Sequence, residues 1–115
     1  MMDLKRIPYG RQFIDDDDVQ AVVSCLNSGW ITTGPLVKRF EKKIAQRVRG
    51  RHGVAFSSGS TALMGAVAAM GLGPGDEVIT TPITFAATAN CVLGCGATPI
   101  FADVLPDSLL IDPQA

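Results

Sequence analysis

Two long stretches of this chain carry no Lys, Arg, Asp or Glu. They are residues 52–75 and 78–102, and no Lys or Arg occurs anywhere after Arg51. Each stretch is close in length to the roughly 20 residues of a membrane span, but Gly, Pro, Ser, Thr and Asn interrupt both. Uncharged, largely apolar sequence is also typical of parallel strands that helices cover on both faces of a sheet. The pattern therefore predicts an α/β core and argues against a membrane protein.

The charges that are present are divided unevenly, with +4 on residues 1–51 and −5 on residues 52–115. A net charge of −1 and 47% hydrophobic residues exclude an intrinsically disordered chain and argue against a general nucleic-acid binder. The three cysteines and one histidine lack the spacing of metal ligands, and no basic region precedes an apolar run at the N-terminus. We therefore expect no metal, no secretion signal and a cytoplasmic protein with reduced thiols.

Two amphipathic helices are predicted in residues 1–52, which we interpret as an N-terminal helical segment. The first covers residues 14–26, and Asp15–Asp18 lie in its first turn, where carboxylates suit the positive end of the helix dipole. These consecutive aspartates point in different directions, which favours a helix start over a metal site. The second helix starts at Pro35 and has an apolar residue at every fourth position from Leu36 to Val48. Its many basic side chains predict a solvated face, with attraction of an anionic partner as the alternative.

From Gly53 onward the sequence alternates between strands and helices. Strands are predicted at 54–56, 77–81 and 99–104, and helices at 62–70 and 85–93. This order implies parallel strands joined by right-handed crossover helices. Three strands leave open sheet edges, and the apolar residues 109–111 have nothing evident to cover. We therefore interpret residues 53–115 as the start of a larger domain.

The segment Ser57-Ser58-Gly59-Ser60-Thr61 lies between the first predicted strand and its helix. Backbone N–H groups at a helix start are unpaired and lie at the positive end of the dipole, so they can bind a phosphate. Gly59 would let an anion approach closely, and the two residues after it add hydroxyl donors. Helix capping without any ligand is the alternative, and the established nucleotide-binding fingerprints are absent.

Phe85 ends the segment Thr80–Phe85, which follows the second predicted strand. In open α/β sheets ligands bind beyond the carboxyl ends of the strands. An aromatic ring at this place could stack on a flat ligand. A phenylalanine buried in the core is the alternative, which the residues by themselves favour.

Several motifs occur in the same order as in a known enzyme family. On these motifs the chain resembles the N-terminal part of the DegT/DnrJ/EryC1/StrS sugar aminotransferases, and the resemblance runs from residue 7 to residue 113. It implies the pyridoxal-phosphate-dependent transferase fold of the aspartate aminotransferase type, fold type I. The motifs are IPY (7–9), SGWITTGP (28–35), SSGSTAL (57–63), GLGPGDEVI (71–79), TPITF (81–85) and ATPIFADV (97–104).

The resemblance implies a cofactor, pyridoxal 5′-phosphate (PLP). The backbone of Gly59, Ser60 and Thr61 would hold its phosphate, and Phe85 would stack on its pyridine ring. The usual family cradle reads Ser-Gly-Thr-Ala, so Ser60 and Thr61 are departures that a backbone contact should tolerate.

The resemblance also implies substrates and a partner. The loop that carries Trp30, Thr32 and Thr33 would lie near the substrate at a homodimer interface. The sequences of residues 7–9 and 82–85 most resemble those of the family members that act in pseudaminic acid biosynthesis. Those transaminases transfer the amino group of glutamate to C4 of a UDP-linked 4-keto-6-deoxy sugar.

The family's catalytic lysine, which forms a Schiff base with the cofactor, has no match in this chain. Lys5, Lys38, Lys42 and Lys43 all precede the cradle. We therefore name no catalytic residue and expect a fragment that is inactive without the segment bearing the lysine. Two alternatives stay open: a dehydratase of the same family, in which histidine replaces the lysine, and a non-catalytic remnant that binds phosphate or a partner.

Overall fold

A computed structural model describes residues 10–115 of the chain, so the motif at residues 7–9 lies outside the described residues. The chain divides into two compact units, of which the first ends at Gly53 and the second starts at Val54. The functional roles expected of the two parts stay predictions. Within the described residues, no helix combines the length and the hydrophobicity needed to cross a bilayer.

The part of the first unit that the structure describes, residues 10–53, contains two helices, α1 (Asp16–Asn27) and α2 (Pro35–Arg47). Asp15 is the N-cap of α1: its Oδ1 accepts the Asp18 N–H at 3.1 Å, and Asp18 Oδ2 accepts the Asp15 N–H at 3.1 Å. This reciprocal capping box confirms that the aspartates mark a helix start. Pro35 opens α2 as predicted, since a first-turn residue needs no N–H. The apolar residues at every fourth position from Leu36 to Val48 stay largely exposed. The buried residue of α2 is Ala45.

The second unit contains α3 (Gly59–Ala69), β1 (Glu77–Thr80), α4 (Ala87–Gly94) and β2 (Thr98–Phe101). The two strands pair in parallel, with Glu77 opposite Thr98 and Thr80 opposite Phe101. Helix α3 packs against α4, and α4 in turn contacts both strands. The core consists of small and medium side chains between these elements: Val67, Cys91, Val92 and Ala97, with Leu72, Val78 and Cys95 packed on them. The predicted α/β fold with a parallel sheet and a crossover helix is confirmed.

The prediction of a strand at residues 54–56 is wrong for this chain. Within residues 10–115 the sheet consists of β1 and β2, and residues 54–56 are not assigned to a strand. The segment packs on α3: Phe56 lies against Gly65, where an added Cβ would be only 2.5 Å from Phe56 Cζ. The third predicted strand is also shorter than expected: β2 ends at Phe101, and Val104 forms an isolated antiparallel bridge with Ile111.

Candidate functional site

The start of α3 is capped by two side chains that satisfy each other's backbone. Ser58 is the N-cap, and its Oγ accepts the Thr61 N–H at 3.2 Å. In return, Thr61 Oγ1 accepts the Ser58 N–H at 3.1 Å. A glutamate or glutamine commonly makes this return bond in a capping box, so the threonine here is a shorter version of the same device. The sequence predicted this cap as the alternative to an anion site, and the cap is present.

Capping leaves two backbone amides at the helix start without a protein acceptor. Gly59 and Ser60 occupy the first two positions of α3, and within residues 10–115 neither N–H donates to a protein atom. A Cβ on Gly59 would meet no heavy atom of the described residues within 4 Å, so the space beside it is open with respect to them. Adjacent free amides at the positive end of a helix dipole form an anion-binding arrangement. Thr61, whose amide was expected to join them, uses that amide in the cap.

Phe85 lies beside this helix start and exposes 77% of its surface. It lines an open pocket of about 630 Å³ together with Gly59, Ser60, Ala62, Leu63 and Ala87. The predicted helix began at residue 85, but α4 begins at Ala87, so Phe85 stands just ahead of it. The Phe85 carbonyl accepts the Thr88 N–H at 2.9 Å, and Thr84 Oγ1 lies 3.0 Å from Thr88 Oγ1. The first of these contacts holds the Phe85 carbonyl, and the second links the side chain of the residue before Phe85 to α4.

The pocket brings together two features that were predicted from separate motifs, the start of α3 and the Phe85 ring. Gly59 and Ser60, which carry the free amides, line it together with the aromatic ring of Phe85, although Gly59 and Phe85 are far apart in sequence. The side chains of the described residues that line it are uncharged, so these residues offer as polar groups the two amides and the Ser60 hydroxyl. Ala62, Leu63 and Ala87 were not predicted as site residues. The one feature of the sequence that could have indicated their role is a small or apolar side chain near the start of a predicted helix.

The loop before α2 forms a second pocket, within the first unit. Trp30 and Thr33 line this pocket of about 370 Å³ with Gly34, Pro35 and Lys38. The loop is tightly folded, because Thr33 has a φ of 45° and a Cβ on Gly34 would lie 2.9 Å from Trp30 Cβ. Thr32 is exposed and is not among the lining residues. Lys38, which was predicted to lie on a solvated helix face, adds a cation to the lining of this pocket.

Comparison with known proteins identifies the family of the chain. The model of the DegT/DnrJ/EryC1/StrS aminotransferase family matches residues 12–115. The chain belongs to this family.

Two curated relatives illustrate how much of a family member the chain represents. The spore coat polysaccharide biosynthesis protein SpsC of Bacillus subtilis (strain 168) is 48% identical over 107 residues, which is 93% of this chain and 28% of SpsC. The UDP-4-amino-4-deoxy-L-arabinose–oxoglutarate aminotransferase of Shewanella sediminis (strain HAW-EB3) is 41% identical over 106 residues, 92% of this chain and 27% of that enzyme. The chain thus spans little more than a quarter of the length of these DegT-family relatives.

A solved structure of the family supports the same fold. The putative sugar aminotransferase Spr1654 from Streptococcus pneumoniae, in its pyridoxamine phosphate (PMP) form, matches with a TM-score of 0.87 and 34% identity. The match covers 92% of this chain and 27% of that one, and the PLP form of the same protein matches equally well. The fold is therefore that of the PLP-dependent aminotransferases.

The residues around the first pocket fit the cofactor of this family. A phosphate monoester needs clustered donors and unobstructed access, which Gly59 and Ser60 offer through two free amides and the Ser60 hydroxyl. A pyridine ring needs an aromatic or apolar surface, which Phe85 and Leu63 offer in the same pocket.

Proposed function

We propose that this chain forms the phosphate-binding part of the PLP site of a sugar aminotransferase. The observation that carries the proposal is the pocket that Gly59 and Ser60, whose amides are free, line together with the exposed ring of Phe85. Family membership adds the reaction class, since the family is one of aminotransferases. The substrates would then be a keto sugar and an amino donor.

Each residue of the site has a distinct task in this proposal. The Gly59 and Ser60 amides bind the cofactor phosphate and set its distance from α3, while the Ser60 hydroxyl is available as a further donor. The Phe85 ring packs on the face of the pyridine and excludes water from it. The bound cofactor supplies the electron sink that allows an amino group to be exchanged for a carbonyl.

The catalytic lysine is the component that this pocket lacks. Among residues 10–115, none that lines it is a lysine, and the lysines of the chain all precede α3 in sequence. We therefore propose that the chain binds the cofactor without catalysing transfer, and that the lysine belongs to polypeptide outside residues 1–115.

The finer parts of the proposal concern the sugar and the assembly. On the motifs at residues 7–9 and 82–85, the acceptor would be a UDP-linked 4-keto-6-deoxy sugar of the pseudaminic acid type and the donor glutamate. Trp30, Thr32 and Thr33 would contact this substrate in a cytoplasmic homodimer. The pocket beside Trp30 supports a role of this loop in binding, because it combines an aromatic ring, a hydroxyl and the Lys38 cation.

Titration of the purified chain with PMP and with pyridoxamine tests the proposal. PMP needs no lysine for binding and differs from pyridoxamine only in the phosphate. Calorimetry should show saturable PMP binding that is much tighter than pyridoxamine binding, and no amino transfer from glutamate to a UDP-linked keto sugar. Equal binding of the two ligands would refute the phosphate site, and transfer by this chain would refute the assignment of the lysine to other polypeptide.

A further inference from the structure

The Thr61 hydroxyl is the centre of the hydrogen bonds at the start of α3. It donates to the Ser58 carbonyl at 2.9 Å and accepts the Ser58 N–H at 3.1 Å. Ser57 Oγ and Ser58 Oγ lie 3.3 Å and 3.2 Å from the same oxygen. One side chain thus holds both polar groups of the Ser58 backbone.

This arrangement decides which amides are left for a ligand. Four consecutive residues, 58 to 61, could in principle direct their N–H groups toward an anion at the helix start. The Ser58 N–H is bound by Thr61 Oγ1, and the Thr61 N–H is bound by Ser58 Oγ. The amides of Gly59 and Ser60, which lie between them, are the two that remain.

We propose that Thr61 is a positioning residue that directs the cofactor phosphate onto the amides of Gly59 and Ser60. It does so without touching the phosphate: its hydroxyl fixes Ser58 in the extended conformation of an N-cap, with φ −158° and ψ 164°. Removal of the hydroxyl would release the Ser58 N–H as a competing donor and loosen the turn that presents the two amides. The inference rests on the proposed function, because it assumes that a phosphate monoester binds here.

The test compares Thr61→Val with Thr61→Ser in the full 115-residue chain. Valine keeps the β-branched shape and removes the hydroxyl, whereas serine keeps the hydroxyl. Thr98→Val is the matched control, because it makes the same change at an exposed residue on β2, outside the lining of the pocket. PMP and pyridoxamine are titrated into each variant by calorimetry, and the ³¹P shift of bound PMP is recorded.

Thr61→Val should weaken PMP binding about fivefold, the effect typical of a lost N-cap interaction. It should shift the bound ³¹P resonance and leave pyridoxamine binding unchanged. Thr61→Ser and Thr98→Val should both bind PMP like the original chain. Unchanged PMP affinity and ³¹P shift in a folded Thr61→Val chain would overturn the inference.

Two further outcomes separate this inference from the proposed function. If the unaltered chain binds PMP no better than pyridoxamine, the phosphate site itself is refuted. If Thr61→Val does not fold, amide exchange in the unaltered chain decides: exchange at Gly59 and Ser60 should slow on addition of PMP while Ser58 and Thr61 stay as they were. Slowing at Ser58 or Thr61 would overturn the positioning role.

Discussion

Replacement of Gly59 with alanine should separate folding of this chain from cofactor binding. The new methyl would meet no heavy atom of residues 10–115 within 4 Å, and Gly59 already has the helical conformation of the first residue of α3. Alanine is favoured over glycine in a helix by up to about 1 kcal/mol. The free energy of unfolding should therefore stay the same or rise by less than about 1 kcal/mol.

The same methyl should obstruct the ligand, because in the proposed function the phosphate occupies the open space beside Gly59. A hydrogen bond to a charged group contributes about 1.5–3 kcal/mol. Loss of one such bond, at 1.4 kcal/mol for each tenfold change, weakens PMP binding roughly 10- to 100-fold.

Calorimetric titration with PMP, together with urea unfolding of the same preparation, measures both effects. Gly73→Ala is the matched control: its Cβ would have one ordinary neighbour, the Cys95 carbonyl at 3.8 Å, and it lies outside the pocket. The control should bind PMP like the unaltered chain. A stably folded Gly59→Ala chain with full PMP affinity would refute the placement of the phosphate at this amide.

Three further predictions concern the ring and the packing of the second unit. Phe85→Ala should weaken PMP binding about threefold to tenfold by calorimetry, without loss of stability, because the ring is 77% exposed; an unchanged affinity would exclude stacking. Gly96→Ala should lower the urea midpoint more than Gly71→Ala. Both residues have positive φ, but only Gly96 would place its Cβ 3.2 Å from Pro74 Cγ, and equal effects would contradict this. Val92→Ala should reduce the free energy of unfolding by about 2 kcal/mol, since Val92 is 2% exposed in the core; a loss below about 0.5 kcal/mol would show that this core is not packed.

Local patterns in the sequence were sufficient to predict most elements of the fold. The aspartates before α1, Pro35 at the start of α2 and the Gly-rich turn before β1 each determine backbone conformation through neighbouring residues. The prediction of a strand at residues 54–56 was wrong because a strand does not depend on neighbouring residues alone. Strand formation depends on a pairing partner, and no periodicity within the segment reveals whether one exists.

The candidate site was predicted as a set of residues but not as a geometry. Gly59 and Phe85 were selected from two separate motifs, and only packing of α3 against α4 places them at one pocket. Thr61 was expected to contribute its amide, because the sequence does not show that a neighbouring serine will accept that N–H. Lys38 was assigned to a solvated face, because helical spacing does not reveal that the loop at Trp30 folds beside it.

Scalar coupling across hydrogen bonds between backbone ¹⁵N and the ³¹P of bound PMP tests the central claim most directly. Each observed coupling identifies an amide that donates to the phosphate. The account predicts couplings to Gly59 and Ser60, and none to Ser58 or Thr61. Binding of PMP with couplings elsewhere in the chain, or with couplings to Ser58 and Thr61 instead, would contradict it.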